Sequence, residues 1–478
     1  MQKRNCKLNA LWFFSLCTLC LCGSTLFSTE PWTTARGNAQ RTGCIDNKPG
    51  PDAPKVFWVY HSKDHFLATP VPFEDRLYVA GVGGFNVSTL LVLPLDSKDS
   101  PQPIWSRSTP LLKLPVVSSP AIADDKLVFG DGMHQTDGAV LHCLRKDGMP
   151  LWYLSLPGNL VHLEGAAVVA GKRVFIGGGA AGVICVERDR ATLDGKELDE
   201  AAMQKIIEAK WKELQAKYEE DKKKDPDFAV PPDPDQLPKP APVRVWQQGA
   251  EKWHVDAPVN VVGDNVLVTS AFLEKEKVGD RAVFCLNAAT GEIRWRQALN
   301  INPWSGASVV DKTVIVAGSS VNFDPANVKG AKGEISGFDL ATGKPLWHKD
   351  VPGGVFGSVA LADGVAITCA TDGKLRAYDI ASGERRWIYD AKAAIFAPPA
   401  VVGGVIYAGD MNAVLHAITL ADGKGKWKLD FANDPAIKSP GSFFCGPIVH
   451  GGKIYAATCN LDGPFARQPT VVVCIGAK

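Results

Sequence analysis

A tryptophan recurs along the sequence as Trp58, Trp105, Trp152, Trp246, Trp295, Trp347, Trp387 and Trp427. The intervals are 47, 47, 94, 49, 52, 40 and 40 residues, and only the 94 is out of step, because it contains an insertion. A period of 40 to 50 residues is the size of one propeller blade, whereas helical repeats need long 3.6-residue periodicities that these units lack. In five units a glycine stands four residues ahead of the tryptophan, as in NAATGEIRW, FDLATGKPLW, YDIASGERRW and ITLADGKGKW. Within this phrase Asp379 and Ser382 can bond neighbouring backbone and Gly383 can take positive φ, so the chain reverses between two strands. A large aromatic at a fixed place on every outer strand wedges one twisted sheet against the next, burying roughly 150–250 Å². All eight tryptophans are therefore assigned to inter-blade packing rather than to chemistry.

Short β-like runs bounded by Gly, Asp and Asn fill the intervals. RLYVAG (76–81) recurs as KLVFGDG, RVFIGGG, NVLVTS, TVIVAG, VAITCA, VIYAGD and KIYAAT, giving eight units of four strands, A to D. Trp58 has no strands A to C before it, and the last unit has no tryptophan. The strand KVFWVY (55–60) is thus expected to complete the last blade, which leaves no open edge. The expected fold is all-β: an eight-bladed propeller of four-stranded antiparallel blades over 55–478, preceded by a segment at 29–54.

With 52 Lys+Arg against 51 Asp+Glu, and no long basic stripe, nucleic acid is not an expected partner. Lys3, Arg4 and Lys7 precede an apolar run from Leu8 to Cys22, which reads as a signal peptide over 1–28 and an exported, periplasmic or cell-envelope protein. An uncleaved anchor over Leu8 to Phe27 and a lipid on Cys22 are the alternatives, so membrane proximity stays open. Four of the twelve cysteines lie in the leader. Cys285 occupies the slot of Gly337, Ala377 and Ala417 before their tryptophans, with Cys143 and Cys474 alongside, so these read as small buried side chains. Cys445 and Cys459 are left open as a pair.

The D-x-x-T-G-x-x-x-W phrase resembles that of the PQQ-like repeat β-propellers, which include quinoprotein alcohol dehydrogenases and BamB-type outer-membrane assembly factors. The resemblance covers about residues 55–476, and WTTARGNAQRTG (32–43) is similar to the segment preceding many such propellers. It implies either a non-catalytic scaffold that binds protein or a cell-envelope ligand, or a PQQ-dependent dehydrogenase holding PQQ with calcium. The family's dehydrogenases carry a disulfide between adjacent cysteines, an Asp base, and Glu, Asn and Asp around calcium. This chain has no adjacent cysteines, and its histidines do not fall at ligand spacing on any one element. The expectation is accordingly a monomeric non-enzyme with no catalytic residue, no cofactor and no metal site.

In such blades the D–A and B–C connections share one rim, and the longest loops fall there. Loops on a rigid scaffold carry recognition, so Phe85, His134, Glu164, Trp253, Phe272, Trp304, Phe323, Phe356, Phe396 and Phe465 are the candidate binding face. Blade three is interrupted at 190–242. Residues 197–224 read as a helix with Met203, Ile207, Trp211, Leu214 and Tyr218 on one stripe, followed by a stretch with seven prolines in eighteen residues. It is read either as a helix laid on the propeller or as a docking arm for a partner on the face opposite the long loops.

Overall fold

The structure is a computed structural model that describes residues 31–477 apart from 85, 86, 135, 322–327, 329, 463 and 464. The expected leader and the candidates Phe85 and Phe323 lie outside the described residues. Eight antiparallel sheets follow one another in chain order. Blade one has strands A Val71–Phe73, B Arg76–Val82, C Ser88–Pro94 and D Trp105–Arg107. In every blade one residue of strand A pairs with the residue seven positions on, from Val71 with Tyr78 to Ile448 with Tyr455. The propeller is thus a true repeat in register as well as in period.

The last blade closes as the strand count requires. Its A, B and C strands are Ile448–His450, Lys453–Ala457 and Thr470–Ala477, and its D strand is the N-terminal Pro54–Ser62, with Trp58 opposite Cys474. Each tryptophan then grips the next blade. The indole N–H donates to the carbonyl of Leu95, Lys146, Arg188, Ala288, Leu340, Ile380, Leu420 or Pro51, taken from Trp58 and Trp105 round to Trp427. The glycine of the turn phrase serves the same joint. Gly383 has φ +72°, and a Cβ there would lie 2.5 Å from Cδ2 of Trp347 in the preceding blade. The glycine of one phrase makes room for the tryptophan of the one before.

Ahead of the propeller, residues 32–43 lie across the inner strands. Trp32, Thr33, Ala39, Gln40, Thr42 and Gly43 offer carbonyls to the strand A amides of Ile122, Val169, Val309, Leu361, Val401 and Val449, in blades two, three, five, six, seven and eight. Blade four is reached through Arg41, whose guanidinium donates to Val259 O (2.7 Å), Ala35 O (2.8 Å) and Thr34 Oγ1 (3.0 Å). Arg36 donates to Pro399 O and Pro447 O. Both arginines are buried, with their charge spread over backbone acceptors instead of carboxylates.

The insertion folds back on the outer side of blades two and three and does not stand away as an arm. Its helix begins at Glu200 instead of 197, because Lys196–Asp199 pairs with Arg190–Leu193 as a hairpin and Asp199 caps the helix through Ala202 N–H. Met203 and Ile207 are buried in one cluster with Trp152, Val174, Ile184 and Leu237, and Trp211 and Leu214 pack on its margin. The Pro-rich return covers an edge: Tyr153 N–H, on the D strand Pro150–Leu156, donates to Pro240 O. All eight described cysteines are buried free thiols, Cys445 and Cys459 included. No helix among the described residues is long and apolar enough to cross a membrane.

Candidate functional site

The common register of strand A places a ring of side chains at the axis. Four residues before the strand A position paired at +7 stand Leu67, Val117, Glu164, Asp256, Trp304, Phe356, Phe396 and Phe444 in blades one to eight. All eight line one cavity of about 550 Å³, and Ala35 and Arg36 of the N-terminal segment also line it. The ring is divided: blades five to eight contribute an aromatic arc, blades three and four an acidic pair. Phe356 and Phe396 lie tilted with centroids 5.3 Å apart, and Phe396 stacks on Phe444 at 5.9 Å.

Two further residues repeat in this register. His162 and His254 each stand six positions before the same strand A residue, giving HLE at 162–164 and HVD at 254–256. His134, on the B–C loop of blade two, completes a triangle of imidazoles with centroids 5.1–5.3 Å apart. His254 Nε2 lies 3.0 Å and His162 Nε2 3.6 Å from Asp256 Oδ1. His162 Nδ1 lies 3.5 Å from Glu164 Oε1, which accepts the backbone N–H of His134 at 2.6 Å.

The backbone is shaped to hold this group. Gly179 and Val255 form an isolated bridge that fixes the HVD segment, and a Cβ on Gly179 would lie 2.9 Å from His162 Nε2. A Cβ on Gly165 would lie 2.8 Å from Asp256 O, so glycine lets the two D–A links approach. Burial pushes the His162 imidazole down to about 4. Burial, reinforced by Asp256, raises the Glu164 carboxyl to about 8. Burial also acts to raise Asp256, but His254 and His162 outweigh it and hold this carboxylate below its ordinary value.

Of the candidate binding face, His134, Glu164, Trp304, Phe356 and Phe396 line the cavity together. Trp253 does not; it is buried against Phe284 with centroids 4.1 Å apart, and its ring fills the space above Gly249. Phe272 is tied outside the cavity lining, with its N–H on Asn302 Oδ1 and Arg281 over its ring. Phe465 lies in the loop between strands B and C of blade eight, also off the lining. Asp131 and Asp410 are turn residues: their carboxylates accept the backbone N–H of Val140 and of Val414, and each pairs with a buried histidine, His142 at 2.8 Å and His416 at 3.0 Å. Sequence reasoning missed His162, His254 and Asp256 because histidines were compared along single elements. The repeated H-x-acid at one blade register was the available signal.

The sequence matches the family described as outer membrane protein assembly factor BamB over residues 35–211, 243–327 and 305–462. The chain belongs to this family. The stretch between 211 and 243, the second part of the insertion, lies outside the match. No curated protein matches the sequence. Among solved structures, BamB from Moraxella catarrhalis is similar at 14% identity and TM-score 0.57, over 89% of this chain and 98% of that one. A europium-containing methanol dehydrogenase is similar at 13% and 0.60, over 94% and 98%. The quinohemoprotein alcohol dehydrogenase from Comamonas testosteroni is similar at 13% and 0.59, over 94% and 81%. At such identities these likenesses concern the BamB-type fold alone.

Proposed function

We propose that the protein is an exported, non-catalytic propeller of the cell envelope that binds a protein partner by admitting a projecting loop or chain end into its axial cavity. The observation that carries this reading is the divided ring, in which one side chain per blade lines the same cavity. Aromatic anchors beside a few polar groups are the usual composition of a recognition hot spot. Polar capacity is available as well: Trp304 Nε1 and Arg36 Nε and Nη1 are buried without a hydrogen-bond partner among the described residues. The family's description as an assembly factor supports binding over turnover.

The alternative, a dehydrogenase holding PQQ with calcium, fits the residues poorly. Calcium takes six to eight oxygen ligands, whereas the donors grouped beside this cavity are three imidazoles with Asp256, and the other lining carboxylates are Glu164 and Asp462. The cavity cysteines, Cys445 and Cys459, are separate thiols and not an adjacent pair.

Affinity capture from envelope extract, comparing the wild-type chain with a Trp304→Ala/Phe396→Ala double variant, tests the proposal. One protein retained by the former and lost by the latter is the expected result. Identical captures, or a saturable quinone absorption band on adding PQQ with calcium, would reverse the ranking.

A further inference from the structure

Buried polar groups in folded proteins almost always have partners, so a cluster of orphans calls for an explanation. His162 and His254 are fully buried, and among the described residues their ring nitrogens and Asp256 Oδ1 lack a well-aligned hydrogen bond, although Asp256 Oδ1 lies 3.0 Å from His254 Nε2. These orphans face one another, with His134 above them. One ligand atom from each of His134, His162, His254 and Asp256 falls within 4.8 Å of all the others.

We propose that these four side chains bind a divalent transition-metal ion of the zinc class. A tetrahedral ion with bonds of about 2.0–2.2 Å sets its ligand atoms about 3.3–3.6 Å apart. The observed separations of 3.0 Å and 3.6 Å from Asp256 Oδ1 to the two buried imidazoles bracket that spacing. An ion at the centre gives Asp256 Oδ1 and one nitrogen of each buried ring a partner. Three imidazoles and one carboxylate suit zinc, copper, nickel or iron(II), and do not suit calcium or magnesium, which prefer all-oxygen sets.

Glu164 is the outer partner. It fixes His134 through the backbone N–H and faces His162 Nδ1, so that His162 Nε2 is turned towards the ion. Because the ligands come from the B–C loop of blade two and the links into blades three and four, the ion pins three consecutive blades at the cavity wall. The site shares its cavity with the proposed partner-binding ring but does not depend on it: metal uptake by the isolated chain can succeed or fail whatever the capture experiment returns.

The test uses the untagged full chain, stripped with chelator and dialysed. Calorimetric titration with zinc, checked by elemental analysis, is expected to give one ion per chain, unaffected by millimolar calcium. Cobalt(II) is expected to give the intense visible band of a four-coordinate site. His134 is exposed, so His134→Ala keeps the fold while removing a ligand, and it should weaken zinc binding more than Glu164→Gln, whose outer-partner role predicts about 10–100-fold. Failure to retain stoichiometric zinc overturns the proposal. So does zinc bound equally well by wild type, His134→Ala and Asp256→Asn, which would mean that the imidazoles merely line a hydrated pocket.

Discussion

The indole Nε1 of Trp427 donates to the carbonyl of Pro51 at 3.0 Å, a bond between residues 376 positions apart. It is the closing member of the ring of tryptophan bonds, and it reaches the segment that leads into the N-terminal strand. Trp427→Phe, which keeps an aromatic ring but no donor, is expected to lower stability by about 1 kcal/mol. Trp427→Ala, which removes both, should cost on the order of 2–4 kcal/mol. Urea denaturation of the two variants measures the difference.

The glycine–tryptophan joint makes its own prediction. Gly383 and Gly404 have nearly the same backbone, φ +72° and +73°, but a Cβ on Gly404 meets nothing within 4 Å. Gly404→Ala is expected to show conformational strain alone, about 1 kcal/mol, and Gly383→Ala to lose about 1–3 kcal/mol more by displacing Trp347. Equal losses in the two denaturation curves would remove the interlock from the account.

The inserted helix is held by core packing. Ile207 is 2% exposed and belongs to the same cluster as Trp152, so Ile207→Ala should cost about 2–5 kcal/mol. Lys217→Ala, on the exposed side of the helix, should stay within about 0.5 kcal/mol. A near-zero effect at Ile207 in thermal denaturation would instead mean a helix that detaches readily.

Acid should weaken the propeller partly through His450. Burial, the largest influence, keeps this imidazole below its ordinary value despite Asp46, with Nδ1 3.5 Å from Asp46 Oδ2. The unfolded chain takes up the proton at about pH 6.5 and the folded chain only lower, so this stability is present above that pH and is lost as pH falls below it. Stability measured from pH 7.5 to 5 is expected to decline less steeply in His450→Gln than in wild type.

What could be read from the sequence was whatever repeats in the covalent chain. Period, turn phrase and the missing strands of the last unit all follow from local spacing, and so does the closure by Trp58. The imidazole group was hidden because it is assembled across three blades, with the insertion between two of its members and His134 on a different kind of loop. Trp253 misled for a related reason: its position ahead of a strand resembles that of Trp304, but Gly249 leaves a slot into which its ring turns. Glycine positions, not hydrophobicity, decided which aromatic entered the core.

The stretch from Trp32 to Gly43 has a consequence for traffic through the molecule. By lying across the inner strands with Arg36 and Arg41 buried, and with Ala35 and Arg36 in the cavity wall, it sets one boundary of the space that a visitor can occupy. Whatever enters the cavity therefore meets Ala35 and Arg36 as part of its wall.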